Sequence, residues 1–318
     1  MQTFYLSVQA QSLLEIISFI ECKKKTQCDH ETHQFILTCI NPSLFDHLYD
    51  GEMVVYQNIT YCYRSFQAWF NLAEELQYYV HNISNEGDEH IQITLSKRPQ
   101  HSWHQHQPSG HPEKYGYHSE FKRINKLEEP SFLMHFRYAL QSITLPPQPS
   151  VLILGVNQGH EITALHHLLP LDYTLIHGID HSASIIEYAQ KKFHIHPHVH
   201  LQVGDIRQVE NLALTQYDLI VSINTLHSPL IDGQKVVRTL VKSHLNPQGA
   251  LILGFPQSRY QDKHLSFGLR TPKANTVDLA KVLKGIYAHQ RYLQQHQYKV
   301  EVIGKYTALL IAQQIKHR

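Results

Sequence analysis

The sequence lacks several features that would fix its class at once. No apolar run approaches the roughly 18 residues needed to cross a bilayer, so a transmembrane protein is not expected. Charge of one sign is also missing: 28 Lys and Arg stand against 27 Asp and Glu, for a net charge of +1. A broad phosphate-binding surface needs clustered basic residues, and the one dense run is Lys23-Lys24-Lys25. A long contact with DNA or RNA is therefore disfavoured. Cysteines number four (Cys22, Cys28, Cys39, Cys62), all early in the chain, and do not read as a disulfide framework. The opening MQTFYLSVQAQSLLEI has no basic leader and no small-residue cleavage site, so export by a standard signal peptide is not expected. The expected location is cytoplasmic.

What is present suits a folded chain. Hydrophobic residues make up 42% of 318 residues, with 18 Tyr, 12 Phe and 2 Trp, enough for a large core and for two domains. Histidine is the oddity, at 26 residues. It comes in clumps, His101, His104, His106 and His111, then His194, His196, His198 and His200. Imidazole is a common metal ligand. Alternating histidines in an extended segment would send their rings to one face, however, whereas a closed zinc site converges ligands from several elements. Cys22, Cys28, His30 and His33 have the right types at a compressed spacing. No metal site is expected from any of these groups.

Two halves read differently. From about Ser150, short apolar runs alternate with helical patterns. Strands are predicted at Val151–Leu154, Tyr173–Ile179, His198–Val203, Tyr217–Ile223, Ala250–Phe255, Tyr298–Ile303 and Thr307–Gln313. Helices are predicted at Glu161–Leu169, Ser182–Phe193, Gln234–Leu245 and from about Thr276 to His296. Such alternation means a parallel sheet with helices on both faces, closed by an antiparallel strand. The first half predicts a smaller α+β domain over 1–98, with strands at Thr3–Val8, His33–Ile40, Met53–Tyr63 and His90–Ser96. Its helices are predicted at Leu13–Cys22 and Ser65–Tyr79. Residues 99–120, rich in Pro, Gly and His, read as a linker, and the run Tyr115-Gly116-Tyr117-His118 as a candidate lid. Phe121–Ile143 reads as helical, so that 121–318 forms the second domain. The first domain is expected to select an acceptor or to dimerise, with its Tyr and Phe residues and Trp69 as candidate contact residues, although most at strand spacing should simply be core.

Chemistry is concentrated after Ser150. The strand Val151–Leu154 runs into Gly155-Val156-Asn157-Gln158-Gly159 and then a helix. Glycines there permit a sharp turn and close approach of a ligand, and Asn157 is the residue type other than glycine most tolerant of positive φ. Asp180 closes the second strand, where a carboxylate can accept both hydroxyls of a ribose. Asp205 closes the third, where a carboxylate can accept from an adenine amino group. The strand Tyr217–Ile223 then delivers Asn224 to the carboxyl edge, where open α/β sheets bind ligands. One acid after a strand is more often a helix N-cap. Three such features in order, after a glycine turn, point to a nucleotide-like ligand.

With these residues the stretch from about Ser150 to Ile315 resembles the class I S-adenosylmethionine-dependent methyltransferases. The resemblance also includes LNPQGALIL and the closing strand pair. It implies a Rossmann-like α/β sheet of seven strands in order 3-2-1-4-5-7-6, the last antiparallel. It implies S-adenosyl-L-methionine as cofactor. Gly155, Val156, Asn157 and Gly159 would then cradle its methionine part. Asp180 would hold the ribose, with His181 beside the adenine, while Asp205 and Ile206 would hold the adenine edge. Asn224 to His227 would line the floor. His227 is the candidate base, with packing at a helix start as its alternative role; a base is needed where the acceptor must lose a proton.

The chain departs from that pattern in two places. The acid usually found two residues before the first glycine is Ile153, and the central glycine is Asn157. Glu161 or a water would have to compensate. The stretch Asn224-Thr225-Leu226-His227 also lacks the Pro-Pro-aromatic signature of DNA-adenine and glutamine methylation. Methyl transfer to a small-molecule acceptor is the leading reading, with protein and tRNA as other acceptor classes. A scaffold that has kept the fold and lost turnover is one alternative. An NAD-dependent oxidoreductase is another, disfavoured because the turn lacks the third glycine of G-x-G-x-x-G.

Overall fold

The computed structural model of the chain describes residues 2–25, 33–97, 112–261, 264–268 and 279–315. The chain divides into two compact units. One comprises Met1–His101 with Gln261–His264, the other Ser102–Tyr260 with Leu265–Arg318.

In the first unit, β1 (Gln2–Ser7), α1 (Leu13–Lys25) and β2 (His33–Ile40) form a parallel crossover. Ser12 starts α1 with a capping box: its Oγ accepts from Glu15 N, and Glu15 Oε2 accepts from Ser12 N. A hairpin follows, β3 (Met53–Tyr56) and β4 (Ile59–Cys62), turning through Gln57 and Asn58, both at positive φ. Then come α2 (Phe66–Glu75), β5 (Tyr78–Glu86) and β6 (His90–Lys97), giving a sheet ordered β1-β2-β6-β5. Phe35, Leu37 and Cys39 alternate with half-buried residues along β2, as Ile91, Ile93 and Leu95 do along β6. These buried faces join Ile16 and Ile20 of α1 and Trp69 and Leu72 of α2 in one core.

Three sequence readings change here. The run Met53–Tyr63 is a hairpin rather than a single strand. Tyr78–Glu86 is a strand where the helical pattern had extended to Tyr79. Trp69, expected among contact residues, is 1% exposed and belongs to the core.

The second unit begins with the single turns Pro112–Tyr115 and Glu120–Arg123 and then α3 (Pro130–Gln141). Helix was expected from Phe121. It starts at Pro130 because proline, lacking an N–H, suits the first helical turn and disfavours helix in the residue before it. The α/β array follows as β7 (Ser150–Leu154), α4 (His160–Leu168), β8 (Leu175–Asp180), α5 (Ala183–Lys192), β9 (Val199–Val203), β10 (Tyr217–Ile223), α6 (Gly233–Thr239) and β11 (Leu245–Pro256). The helix expected to reach Leu245 stops at Thr239 and gives way to one wider turn over Leu240–His244. A ribbon of β12 (Ser258–Gln261) and β13 (His264–Phe267), helix α7 (Leu279–Gln295) and strands β14 (Tyr298–Ile303) and β15 (Thr307–Gln314) complete it. Thr276, the expected start of the last helix, lies outside the described residues.

The large sheet is ordered β14-β15-β11-β10-β7-β8-β9, with β15 antiparallel to its neighbours on either side. Renumbered from β7 as the first strand, that is 3-2-1-4-5-7-6, as the resemblance implies. Its central strands are buried on both faces, which is why they read as continuous apolar runs. Alternate residues fall into two layers. Leu152, Ile220, Leu251, Leu253 and Leu310 pack with Val236 and Val237 of α6 and Ile286 and Leu293 of α7. Val151, Ile153, Val221, Ile252 and Ile311 pack with Phe136 of α3, Ile162 and Leu165 of α4 and Ile186 of α5.

Trp69 offers a stability test. Its indole N–H is buried with no hydrogen-bond partner among the described residues. Trp69→Ala should cost ~3–5 kcal/mol through the cavity it leaves. Trp69→Phe, which removes the unsatisfied donor, should cost far less. Denaturant unfolding of both variants checks the difference, and equal losses would contradict it.

Candidate functional site

The carboxyl edge of the large sheet gathers the residues singled out in the sequence. After β7 the chain turns through Gly155 (φ 71°), Asn157 (φ 44°) and Gly159 (φ 73°), three left-handed positions in five residues. Side chains are excluded at both glycines. A Cβ on Gly155 would lie 2.1 Å from Thr225 Oγ1, and one on Gly159 2.3 Å from the Phe193 ring. The N–H groups of Gly155 and Val156 both donate to Ile179 O, at 2.8 and 3.0 Å, and the Val156 side chain is fully buried.

Asp180 ends β8 and is 5% exposed. Its Oδ2 accepts from Asn157 N at 3.0 Å, and its Oδ1 from Ser182 N at 3.1 Å. His181 Nδ1 lies 3.3 Å from Oδ1. Its hydrogen bond to this carboxylate raises the imidazole above its ordinary pKa, outweighing the opposing effect of burial. One carboxylate thus ties the glycine turn to the start of α5.

The segment that includes the candidate lid lies against this turn. Asn157 Nδ2 donates to Tyr115 O at 3.0 Å, and Gln158 Nε2 to Lys122 O at 2.7 Å. The Glu113 carboxylate accepts from Ser182 Oγ at 2.9 Å and from Ser184 Oγ. Burial alone would raise the Glu113 pKa, but these hydrogen bonds hold it below its ordinary value. Tyr117 N donates to Ser184 Oγ at 2.9 Å. The Tyr115–His118 run, read as a lid or a linker, is therefore stitched to the turn. Glu113 and Ser184 carried no motif, Ser182 stood out only as the cap of its helix, and only the aromatic run beside them pointed to the site.

Asp205 follows β9 and accepts from Arg207 N at 2.9 Å, while the Arg207 guanidinium grips both its oxygens at 2.7–2.9 Å. Those contacts hold its pKa below the ordinary carboxylate value. The adjacent Ile206 side chain is buried. Asn224, after β10, is left-handed (φ 57°), and its buried Oδ1 has no hydrogen-bond partner among the described residues. Ile153 is wholly buried in apolar surroundings. Glu161, the suggested substitute acid, is itself buried and pairs with Lys126 Nζ at 3.1 Å.

His227 lines a cavity of about 390 Å³ together with Leu226, Asp232, Phe255 and His289. His289, on α7, was not foreseen. It is 5% exposed against the Phe255 ring, and burial pushes its pKa down to about 4. His160, at the start of α4, is pushed down to about 4 for the same reason.

Residues 151–249 match the model of a family described as a methyltransferase domain. The match covers about a third of the chain, and the strand order around it is that of a Rossmann-like methyltransferase fold. No curated protein matches the chain. Similar solved structures include the CurJ carbon methyltransferase, with 15% identity over 65% of this chain and 61% of that one, at a TM-score of 0.45. A SAM-dependent methyltransferase from Aquifex aeolicus shares 19% identity over 61% of this chain and 98% of its own, at 0.44. Magnesium protoporphyrin IX methyltransferase from Synechocystis, solved with SAH, shares 16% over 63% and 90%, at 0.40. The chain thus spans less than two thirds of the length of the first of these.

The buried histidines set a pH dependence. A histidine held neutral when folded takes up its proton at about 6.5 when unfolded. Between pH 6.5 and about 4 the unfolded chain therefore binds more protons, and stability falls as pH falls. Melting temperature should drop from pH 7 to pH 5, and less steeply in His289→Gln. Identical slopes for the two proteins would contradict the assignment.

Proposed function

We propose that the chain transfers a methyl group from S-adenosyl-L-methionine to a small molecule seated in the His227–His289 cavity. The cavity carries this reading: its volume is that of a small-molecule site, and it opens within three residues of Asn224. The residues present suit the cofactor. Asn224 Oδ1 is a buried acceptor in need of a donor, which the cofactor's methionine part can provide. Asp180, with two backbone donors bound, retains lone pairs for ribose hydroxyls. Asp205 offers the adenine side an acceptor, with Ile206 as an apolar neighbour, and Gly155 to Gly159 form the turn beneath. No carboxylate comes from Ile153.

When bound, S-adenosylmethionine supplies a methyl group on a positively charged sulfur. The protein's part is then positioning: holding the nucleophilic atom in line can supply much of the acceleration. His289, neutral at physiological pH, can hydrogen-bond an acceptor without adding charge. The exposed His227 can take a proton from a hydroxyl or phenol. Acceptors of protein or tRNA class fit the cavity less well. A cytoplasmic setting belongs to this reading, supported by three cysteines outside disulfides, Cys22, Cys39 and Cys62. Among the described residues no helix is long and apolar enough to cross a membrane. For the first unit we propose acceptor selection or dimerisation.

Binding without turnover is a second reading, favoured by the wholly buried Ile153 in place of an acid. Calorimetry on the full chain should show binding of S-adenosylmethionine and S-adenosylhomocysteine and none of NAD. Asp180→Ala should weaken the first by about thirtyfold, on the order of 2 kcal/mol. Unchanged affinity would remove Asp180 from the site. Release of S-adenosylhomocysteine should then appear with a member of a panel of small hydroxyl, thiol and amine compounds, and fall about a hundredfold in His227→Ala if a hydroxyl is the acceptor. Tight cofactor binding with no release across small molecules, peptides and tRNA would favour the second reading.

A further inference from the structure

At the opposite edge of the same sheet, where β9 begins, three histidines converge. His166 lies in the last turn of α4, and His196 and His198 in the turn between α5 and β9. One imidazole nitrogen from each lies within 4.8 Å of the other two. The Nε2 atoms of His166 and His198 are 3.1 Å apart, and the ring centroids are 5.0–5.7 Å apart. All three are half-buried. We propose that His166, His196 and His198 form a binding site for one late first-row divalent metal ion, of the zinc, nickel or cobalt kind.

Ligand chemistry supports this. Imidazole suits these ions, and three neutral nitrogens leave a fourth position for water or an outside ligand. Zinc–nitrogen bonds of about 2.0–2.1 Å place ligand nitrogens roughly 3.3 Å apart in a tetrahedron, so side-chain adjustments of about an ångström close the present arrangement. The backbone is already fixed. His196 N donates to Phe193 O, Val199 N to His196 O, and Ile176 N to His198 O, at 2.8–3.0 Å. Behind the site, Tyr173 stacks on His198 and donates its hydroxyl to Leu165 O and Leu169 O, which fixes the end of α4. The carboxyl end of a helix also favours positive charge.

The histidine repeat was expected to present its rings on one face of an extended run. Only Val199–Val203 is strand, however, and the turn before it aims His196 and His198 at a histidine from another element. His101, His104, His106 and His111 are outside the described residues, as are Cys28 and His30.

The site can be tested on the full chain without an affinity tag, apo after chelation, titrated with zinc and with cobalt. One equivalent should bind at micromolar or tighter affinity, and cobalt should give the visible absorption of a tetrahedral nitrogen site. Affinity should fall at least tenfold in His166→Gln and in His198→Gln. It should be unchanged in His194→Gln with His200→Gln, and in a variant with His101, His104 and His106 all replaced by Gln. Saturating zinc should raise the melting temperature of the wild type by several degrees and leave His166→Gln unmoved. Circular dichroism confirms that each variant is folded. Equal binding by wild type and His166→Gln, or binding lost only with the His101–His106 replacement, would overturn the proposal.

Discussion

The carboxylate of Asp180 is shared between two backbone N–H groups from different loops, and the carboxyl edge of the large sheet takes its form from that sharing. One oxygen fixes Asn157 in a left-handed conformation, and the other fixes Ser182 at the start of α5. The attachment to Ser182 is buried and that to Asn157 is partly so, which limits the competition from water. Through Asn157 and Ser182 the same anchor reaches Tyr115 and Glu113. Ionisation of His181 is coupled to it as well. The carboxylate proposed to hold the ribose is thus also a structural hub, and the two roles would draw on different lone pairs.

The sheet itself follows from alternation. Each central strand buries both faces, and successive residues enter two separate apolar layers. A register slip of one residue would exchange the layers, so packing specifies the register. Once the strands are fixed, every strand end on the parallel side lies at one edge. Gly155, Asp180, Asp205 and Asn224, far apart in the chain, come together there as a by-product of topology.

That logic explains what could be read from the sequence. The continuous apolar runs of β7 and β10 have few structural alternatives, and the polar residue after each is placed by them. The edge strand β5 was less visible: YYVHNISNE mixes polar residues on both faces, and the amphipathic pattern of α2 runs up to its first tyrosine. The helix start at Pro130 was masked by apolar residues upstream that form single turns instead. Partners supplied by tertiary structure had no local signal at all. Glu113 meets Ser182 and Ser184 across 69 and 71 residues. His166 meets His198 across 32. His289 resists protonation only because the fold buries it, on α7 and beside Phe255.

Asn157 carries a consequence for how this chain can drift. Its φ of 44° would suit glycine, which would relieve the backbone at no steric cost. Glycine would also delete the amide that holds Tyr115 O and the oxygen that caps Gln158 N. Aspartate keeps the second bond and loses the first; larger side chains keep neither and add strain. The position has therefore exchanged conformational ease for a tether. Glycine at this place would ease the turn and leave Tyr115 held to it through its neighbours Glu113, Tyr117 and Lys122.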